Sequence, residues 1–313
     1  MKINNSSKLK YFIAIPTYNG GDVWRSVAVN IKENAPEGVR VKVIDSSSND
    51  NTALIAKDMG FELTVISGND FNHGGTRNLA VYGETDKYDV VVFLTQDAIP
   101  EERFLEDIIS VFEDPEIACA YGRQIPHVGA NPIASHARAF NYTDKSYISC
   151  TDTIPYMGIK TVFMSNSFSA YRISTFEELG GFPNNTILCE DMHFTARAVL
   201  SGFKVAYVSS SVVRHSHNYT PIEEFKRYFD IGVFHTDEPW IRNEIGGAGG
   251  EGKRFITSEL KFLVKKYPAW IPIAIVNNVM KFLGFKLGQY YKMLPINLIR
   301  KFSMHKRYWK DEN

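Results

Sequence analysis

The sequence predicts an α/β fold, a mostly parallel sheet flanked by helices, with a basic helical extension at the C-terminus. Three observations carry that prediction. Over the first 125 residues, short apolar or alternating segments take turns with stretches of helical spacing. Alternation at this pitch builds a largely parallel sheet with helices on both faces. Apolar residues make up 44% of the 313-residue chain and charged ones 22%. That excludes global disorder and suits about two domains, or one large domain with an appendage. Finally, the formal charge of zero is a cancellation: residues 253–313 hold 13 basic and three acidic side chains, against 22 and 32 before them. Such asymmetry suggests an anionic partner for the basic part. Two regions are therefore expected, 1–252 and 253–313.

The elements follow in order. Tyr11–Thr17 (YFIAIPT) is an apolar run closed by a turn at residues 18–21. Residues 39–45 (VRVKVID) alternate with period two, and residues 63–66 and Val90–Leu94 (VVVFL) are apolar and β-branched, all strand signals. Between them, residues 22–34, 52–59 and 76–82 carry helical spacing, with Asp22 and Asn51 as N-caps. A less regular stretch spans 126–156. Then come an apolar segment at 162–172, a helix from about Glu190 to Ser201, strands near 205–208 and 211–215, and a helix at 221–229. A glycine-rich loop at 243–253 leads into the basic helical region with interleaved aromatics.

Residues 1–10 are polar and lack the apolar run of a secretory signal. The longest apolar stretch, residues 269–280, contains Pro272, Asn277 and Asn278. It falls short of the roughly 20 apolar residues a spanning helix needs, so no transmembrane segment is expected. Cys119, Cys150 and Cys189 fit neither a zinc motif nor a disulfide framework. A reducing, cytoplasmic compartment is expected.

In open sheets of this kind ligands bind beyond the carboxyl ends of the strands. Chemistry is therefore sought in loops 17–19, 45–50, 68–78 and 95–98. Asp45, at the end of the second strand, is placed to accept hydrogen bonds from a nucleoside, or to close an Asx turn. Asn72-His73-Gly74-Gly75-Thr76-Arg77-Asn78 enters a helix through two glycines. Free N–H groups there, with Arg77 in the first turn, would suit a diphosphate. Asp97 follows the most apolar strand and could ligate Mg²⁺ or Mn²⁺, or cap a helix. Glu190 and Asp191 open a helix, where the dipole favours acids and keeps them ionised, as a general base requires. His215-Ser216-His217 closes a strand with both imidazoles on one side, able to complete a mixed metal site with Asp97.

Residues 247–254 match G-x-x-x-x-G-K in letters, but Arg254 stands where Ser or Thr is required and no strand precedes the loop. A P-loop and a dinucleotide fold are rejected on that ground. A mobile lid over residues 244–254 is expected instead.

Together these stations resemble the inverting family 2 glycosyltransferases of GT-A fold, Rossmann-like in their nucleotide-binding half. The matching features are Ile15-Pro16-Thr17-Tyr18-Asn19, Asp45, Gly75-Thr76-Arg77-Asn78, Gln96-Asp97-Ala98 and Glu190-Asp191. The resemblance covers roughly residues 11–220. Phe71–Ala80 (FNHGGTRNLA), Thr95–Ala98 (TQDA) and Phe302–Trp309 (FSMHKRYW) look most like bacterial rhamnosyltransferases of surface-polysaccharide assembly. The resemblance implies that Thr17, Asn19, Asp45, Arg77 and Gln96 contact a nucleotide-sugar donor. It further implies that Asp97 and His215 hold a divalent cation, Mn²⁺ or Mg²⁺, and that Asp191 is the catalytic base with Glu190 beside it. Asp97 matches the last Asp of the family's D-x-D motif, whereas Thr95 replaces the first.

The implied reaction is one inverting displacement, with dTDP-L-rhamnose as donor and a hydroxyl of a lipid-linked glycan as acceptor. Another nucleotide sugar (a UDP-hexose or galactofuranose) is the alternative donor, and a non-catalytic scaffold of the same pathway the alternative role. A processive synthase would bring transmembrane helices and Q-x-x-R-W, and a nucleotidyltransferase a basic glycine loop after the first strand; neither pattern is present. The basic region, with Trp270, Phe282, Phe285, Tyr290, Tyr291, Phe302, Tyr308, Trp309 and the spacing Lys281–Lys292, suits an anionic membrane interface. Nucleic acid would read alike, and the resemblance to glycosyltransferases is what favours the membrane. A cytoplasmic enzyme, peripheral on the inner face of the cell membrane, is the expectation.

Overall fold

The computed structural model describes residues 9–247 and 249–309. Expectations for residues 1–8, for Ala248 in the glycine-rich loop, and for residues 310–313 lie outside the described residues.

Four parallel strands form the first half of one sheet: β1 (Tyr11–Thr17), β2 (Val41–Asp45), β3 (Glu62–Val65) and β4 (Val90–Leu94). Helices α1 (Gly21–Asn34), α2 (Thr52–Asp58) and α3 (His73–Val81) connect them. The alternation read from the sequence is thus present, but two caps differ. Gly20, not Asp22, precedes α1, and Asn51 makes no capping bond; Asp50 accepts from Thr52 N at 2.9 Å and Gly21 N at 3.1 Å. One carboxylate thereby ties the starts of two helices together.

The second half is mixed rather than parallel. It contains β5 (Ile99–Pro100), α4 (Glu106–Ser110), β6 (Ile117–Ile125), α5 (Pro132–Asn141), β7 (Tyr147–Ser149), α6 (Ile154–Met157), β8 (Phe168–Arg172), α7 (Ile173–Glu178), α8 (Glu190–Leu200) and β9 (Lys204–Arg214). The order across the sheet is β3-β2-β1-β4-β8-β6-β9-β5, with β7 also on β9. β8 runs antiparallel to both β4 and β6, and β6 runs parallel to β9. The start of β8 therefore lies at the same edge as the carboxyl ends of β1, β2, β4, β6 and β9. The two strands expected near 205–215 are one strand with a bulge, where the register jumps between Gly122 and Arg123. Apolar side chains fill both faces, Trp24, Phe104 and Phe168 on one and Phe93, Tyr171 and Phe194 on the other.

The C-terminal region is α9 (Pro221–Asp237), α10 (Pro239–Ile245), α11 (Glu251–Lys266), α12 (Ile271–Gln289) and α13 (Ile296–Phe302). α12 lies flush on α9 through glycines: a Cβ at Gly284 would collide with the Phe225 carbonyl oxygen, and one at Gly288 with that of Phe229. The segment Pro268–Gln289 is long and apolar enough to cross a membrane by length and composition, which the shorter run read from the sequence did not reveal. Several basic residues expected at a membrane are engaged within the protein. Lys281 pairs with Glu224 at 3.2 Å, Lys292 with Asp237 at 3.0 Å, and Arg300 donates to the Trp309 carbonyl at 2.7 Å. Helix α10, not a strand, precedes the glycine loop, consistent with rejecting a P-loop.

Candidate active site

Three clusters gather along the shared strand edge. The first joins the ends of β1 and β2. Thr17 Oγ1 donates to Asp45 Oδ1 at 2.9 Å, and Ser48 donates to Asp45 through its N at 2.8 Å and its Oγ at 2.6 Å. Asp45 is 1% exposed, so the Asx-type turn and the buried acid coexist. Asn19, at φ +47°, donates its N to Ser48 Oγ at 2.8 Å and accepts from Asn49 N at 2.8 Å. Gln96 grips the backbone of Tyr18 from both sides, accepting from its N at 2.8 Å and donating to its O at 3.0 Å. Thr17, Asn19, Asp45 and Gln96 thus form one hydrogen-bonded floor beneath Tyr18.

Arg77 departs from the expectation. It is buried, and its Nη1 donates to Glu190 Oε1 at 3.0 Å and to the His73 carbonyl at 2.9 Å. Nor are the amides of Gly74 and Gly75 free for a phosphate, because Asn72 Oδ1 accepts from both, at 3.0 and 2.8 Å. The glycine at 74 serves packing: a Cβ there would collide with the Pro183 carbonyl oxygen. Close contact between α3 and the loop before α8 is what brings Arg77 to Glu190.

The second cluster is the acid pair. Glu190 is 5% exposed and accepts from Arg77 and from Asn166 Nδ2 at 2.9 Å. Asp191 is half-buried and accepts from Asn166 N at 3.1 Å and Met192 N at 2.7 Å. Cys189, just before them, sits at φ +58°, a costly conformation for a non-glycine residue and one that clusters at functional sites. Burial would raise the Glu190 carboxyl, but the charges of Arg77 and His73 and the Asn166 hydrogen bond outweigh it and lower it. Asp191 moves the other way, pushed up to about 7 by burial and by the neighbouring Glu190 charge. Adjacent carboxyls with pKa values driven apart are the signature of divided acid–base roles.

The third cluster is Asp97, His215 and His217, whose ligand atoms all lie within 4.8 Å of one another. His215 Nε2 is 3.4 Å and His217 Nε2 3.6 Å from Asp97 Oδ2. Gln124 Nε2 donates to Ser165 Oγ at 2.8 Å, so its Oε1 faces His215 Nδ1, also at 2.8 Å, and accepts that N–H. The bare Nε2 of His215 then confronts a carboxylate, so Asp97, His215 and His217 are residues that could hold a cation. Such an outer hydrogen bond on the far nitrogen is the usual companion of a metal-ligating imidazole. One carboxylate and two imidazoles fit a first-row divalent ion such as Mn²⁺ better than oxygen-seeking Mg²⁺.

Sequence reasoning missed the residues that join these clusters. Asn166 holds both acids, and its Oδ1 accepts from Ser169 Oγ at 2.9 Å and Tyr171 OH at 2.7 Å. Ser165, its neighbour, holds Gln124 and through it His215. The only sequence signal was a polar Ser165-Asn166 pair interrupting an apolar segment. Also missed was the return of residues 305–307 to the site: His305 Nδ1 lies 3.3 Å from His73 Nε2, and Arg307 reaches Gly68 and Tyr18.

The sequence profile described as "Glycosyl transferase family 2" matches residues 12–180. The chain is 52% identical over 305 residues to the O-antigen chain rhamnosyltransferase RfbN of Salmonella typhimurium, covering 97% of each chain. It is 50% identical over 303 residues to the O-antigen chain rhamnosyltransferase WbaN of Salmonella anatum, covering 96% of each. Among solved structures it resembles the mannosyltransferase PcManGT of Pyrobaculum calidifontis in complex with GDP-Man and Mn²⁺. That match has TM-score 0.56 and 17% identity, over 97% of this chain and 86% of that one, a likeness of fold. With a GT-A sheet, and near-full-length identity of about half to two curated members, the chain belongs to glycosyl transferase family 2.

Proposed function

We propose that this protein transfers L-rhamnose from dTDP-β-L-rhamnose, with inversion, to a hydroxyl of a lipid-linked oligosaccharide during O-antigen assembly. The observation that carries the reading is the 52% identity to RfbN along 97% of both chains, in a family defined by glycosyl transfer. Thr17, Asn19, Asp45 and Gln96 form the floor on which the donor nucleoside rests. Asp191 is the general base: it takes the proton from the acceptor hydroxyl as that oxygen attacks the face opposite the leaving diphosphate. One displacement turns a β-linked donor into an α-rhamnoside. A positioned base of this kind contributes roughly 10²–10⁴-fold. Glu190 stays ionised against Arg77 and raises the basicity of Asp191, while Asn166 fixes the direction of both. Arg77 is therefore a positioning residue rather than a phosphate ligand. Asp97, His215 and His217 would hold the divalent cation, which when bound neutralises the charge developing on the leaving diphosphate.

The boundary at residue 252 divides labour in this reading. Residues 1–252 carry the chemistry, and the helices that follow, α11 and α12, offer the face turned to the membrane. The exposed face of α12, with Val276, Val279, Phe282 and Leu283, supports a peripheral position on the inner face of the cytoplasmic membrane. A donor screen tests the proposal: dTDP-rhamnose and UDP-hexoses are offered with lipid-linked acceptors and the product linkage is determined. Use of a UDP-hexose with no turnover of dTDP-rhamnose would overturn it.

A further inference from the structure

The last described turn, Lys306–Trp309, folds back over the floor beneath Tyr18. Asp230 Oδ2 on α9 accepts from Met304 N at 2.8 Å and His305 N at 3.1 Å, fixing where the segment turns. Trp309 is 1% exposed and packs into the main core beside Tyr291, and Tyr308 OH donates to the Asn185 carbonyl at 3.0 Å. Between these anchors, Arg307 projects back across the sheet edge. Its Nη1 donates to the Gly68 carbonyl at 3.1 Å and its Nη2 to Tyr18 OH at 3.2 Å, while the guanidinium lies 4.9 Å from the Tyr18 ring centroid.

Arg307 is exposed, and no carboxylate among the described residues pairs with it. A guanidinium carries five N–H donors, of which this arrangement engages two. Its fork is held in place by Gly68 of the β3–α3 loop and Tyr18 of the β1–α1 loop. These are the two loops that border Asp45, and Gln96 immobilises the second of them. A rigid, solvent-facing planar cation stacked on an aromatic ring suits recognition of an anionic, flat-based ligand. From this geometry we propose that Arg307 is a donor-binding residue: it contacts the nucleoside diphosphate and makes the C-terminal segment one wall of the nucleotide site. The assignment rests on the reading that the nucleotide occupies the Thr17–Asp45–Gln96 floor.

The test is equilibrium binding of dTDP, without acceptor, to the full chain, to Arg307→Ala and Arg307→Lys, and to Lys306→Ala at the exposed neighbouring position. Loss of charge-assisted hydrogen bonds is expected to weaken dTDP roughly tenfold or more in Arg307→Ala. Arg307→Lys should fall between Arg307→Ala and the native chain, and Lys306→Ala should bind as the native chain does. Thymidine measured alongside separates the two parts of the ligand: an equal loss for thymidine and dTDP puts Arg307 on the nucleoside, and a loss confined to dTDP puts it on the diphosphate. Arg307→Ala binding dTDP within twofold of native would overturn the inference alone. Failure of the native chain to bind dTDP would sink the underlying reading with it. An unchanged near-ultraviolet circular dichroism spectrum for Arg307→Ala shows that the fold is intact.

Discussion

Arg77 Nη1 lies 3.0 Å from Glu190 Oε1 across 113 residues of sequence, both side chains almost fully shielded from water. Removing one member of such a pair strands the other as a buried charge, at a cost of about 3–5 kcal/mol. Arg77→Met is therefore expected to lower unfolding free energy by that amount in urea titrations. Arg77→Met combined with Glu190→Gln should recover most of it, since the substituted amide needs no counter-charge and still offers Asn166 an acceptor. A single-variant loss below about 1 kcal/mol would mean the pair is dispensable.

The acid pair also sets a pH dependence. The Asp191 carboxyl is held up at about 7, first by burial and then by the Glu190 charge. A base must be ionised, so kcat/KM is expected to be full above that value and to fall about tenfold per pH unit below it. Glu190→Gln removes the like charge and should slide this acid limb to lower pH. A limb that stays put, or moves up, would show that Glu190 does not tune Asp191. Asp191→Asn should cost roughly 10²–10⁴-fold in turnover while dTDP affinity is kept.

The parallel half of the fold was legible because its strands and helices alternate with distinct periods, and Thr17, Asp45 and Asp97 could be placed from strand ends alone. The mixed half was not, and the reason is β8. A reader who expects parallel strands looks for ligands at carboxyl ends. β8 runs antiparallel to β4, pairing Phe168 with Leu94, so its amino end reaches the site instead. Asn166 precedes that end, which is why the residue joining both acids went unseen. The Arg77–Glu190 pairing was hidden for a related reason. Glu190 arrives through the close approach of Gly74 to Pro183, a contact no local spacing reveals.

Gln124 offers a test of the candidate cation site that leaves Asp97, His215 and His217 intact. Its Oε1 holds His215 Nδ1 at 2.8 Å and so directs Nε2 at Asp97. Loss of an outer hydrogen bond of this kind typically weakens metal binding 10–100-fold. Gln124→Leu is expected to raise the Mn²⁺ dissociation constant by that factor in a titration followed by electron paramagnetic resonance. Native affinity in the variant would mean that the His215 ring is oriented by something else.

The two faces of α12 allow the proposed membrane contact to be tested apart from folding. Gly284 and Gly288 press on α9, whereas Val276, Val279, Phe282 and Leu283 stand exposed, Phe282 at 61%. Burying a side chain of this kind is worth about 1.5–3 kcal/mol, against roughly 1 kcal/mol for each basic residue near an anionic surface. The apolar term resists salt and the charge term does not. Val279→Asp with Phe282→Asp should therefore cut cosedimentation with anionic vesicles at least tenfold at both low and high salt, with native circular dichroism. Lys261→Ala with Lys265→Ala, both exposed on α11, should weaken it only at low salt. If the α12 double variant sediments like the native chain, that face makes no membrane contact and the peripheral placement proposed for α12 fails.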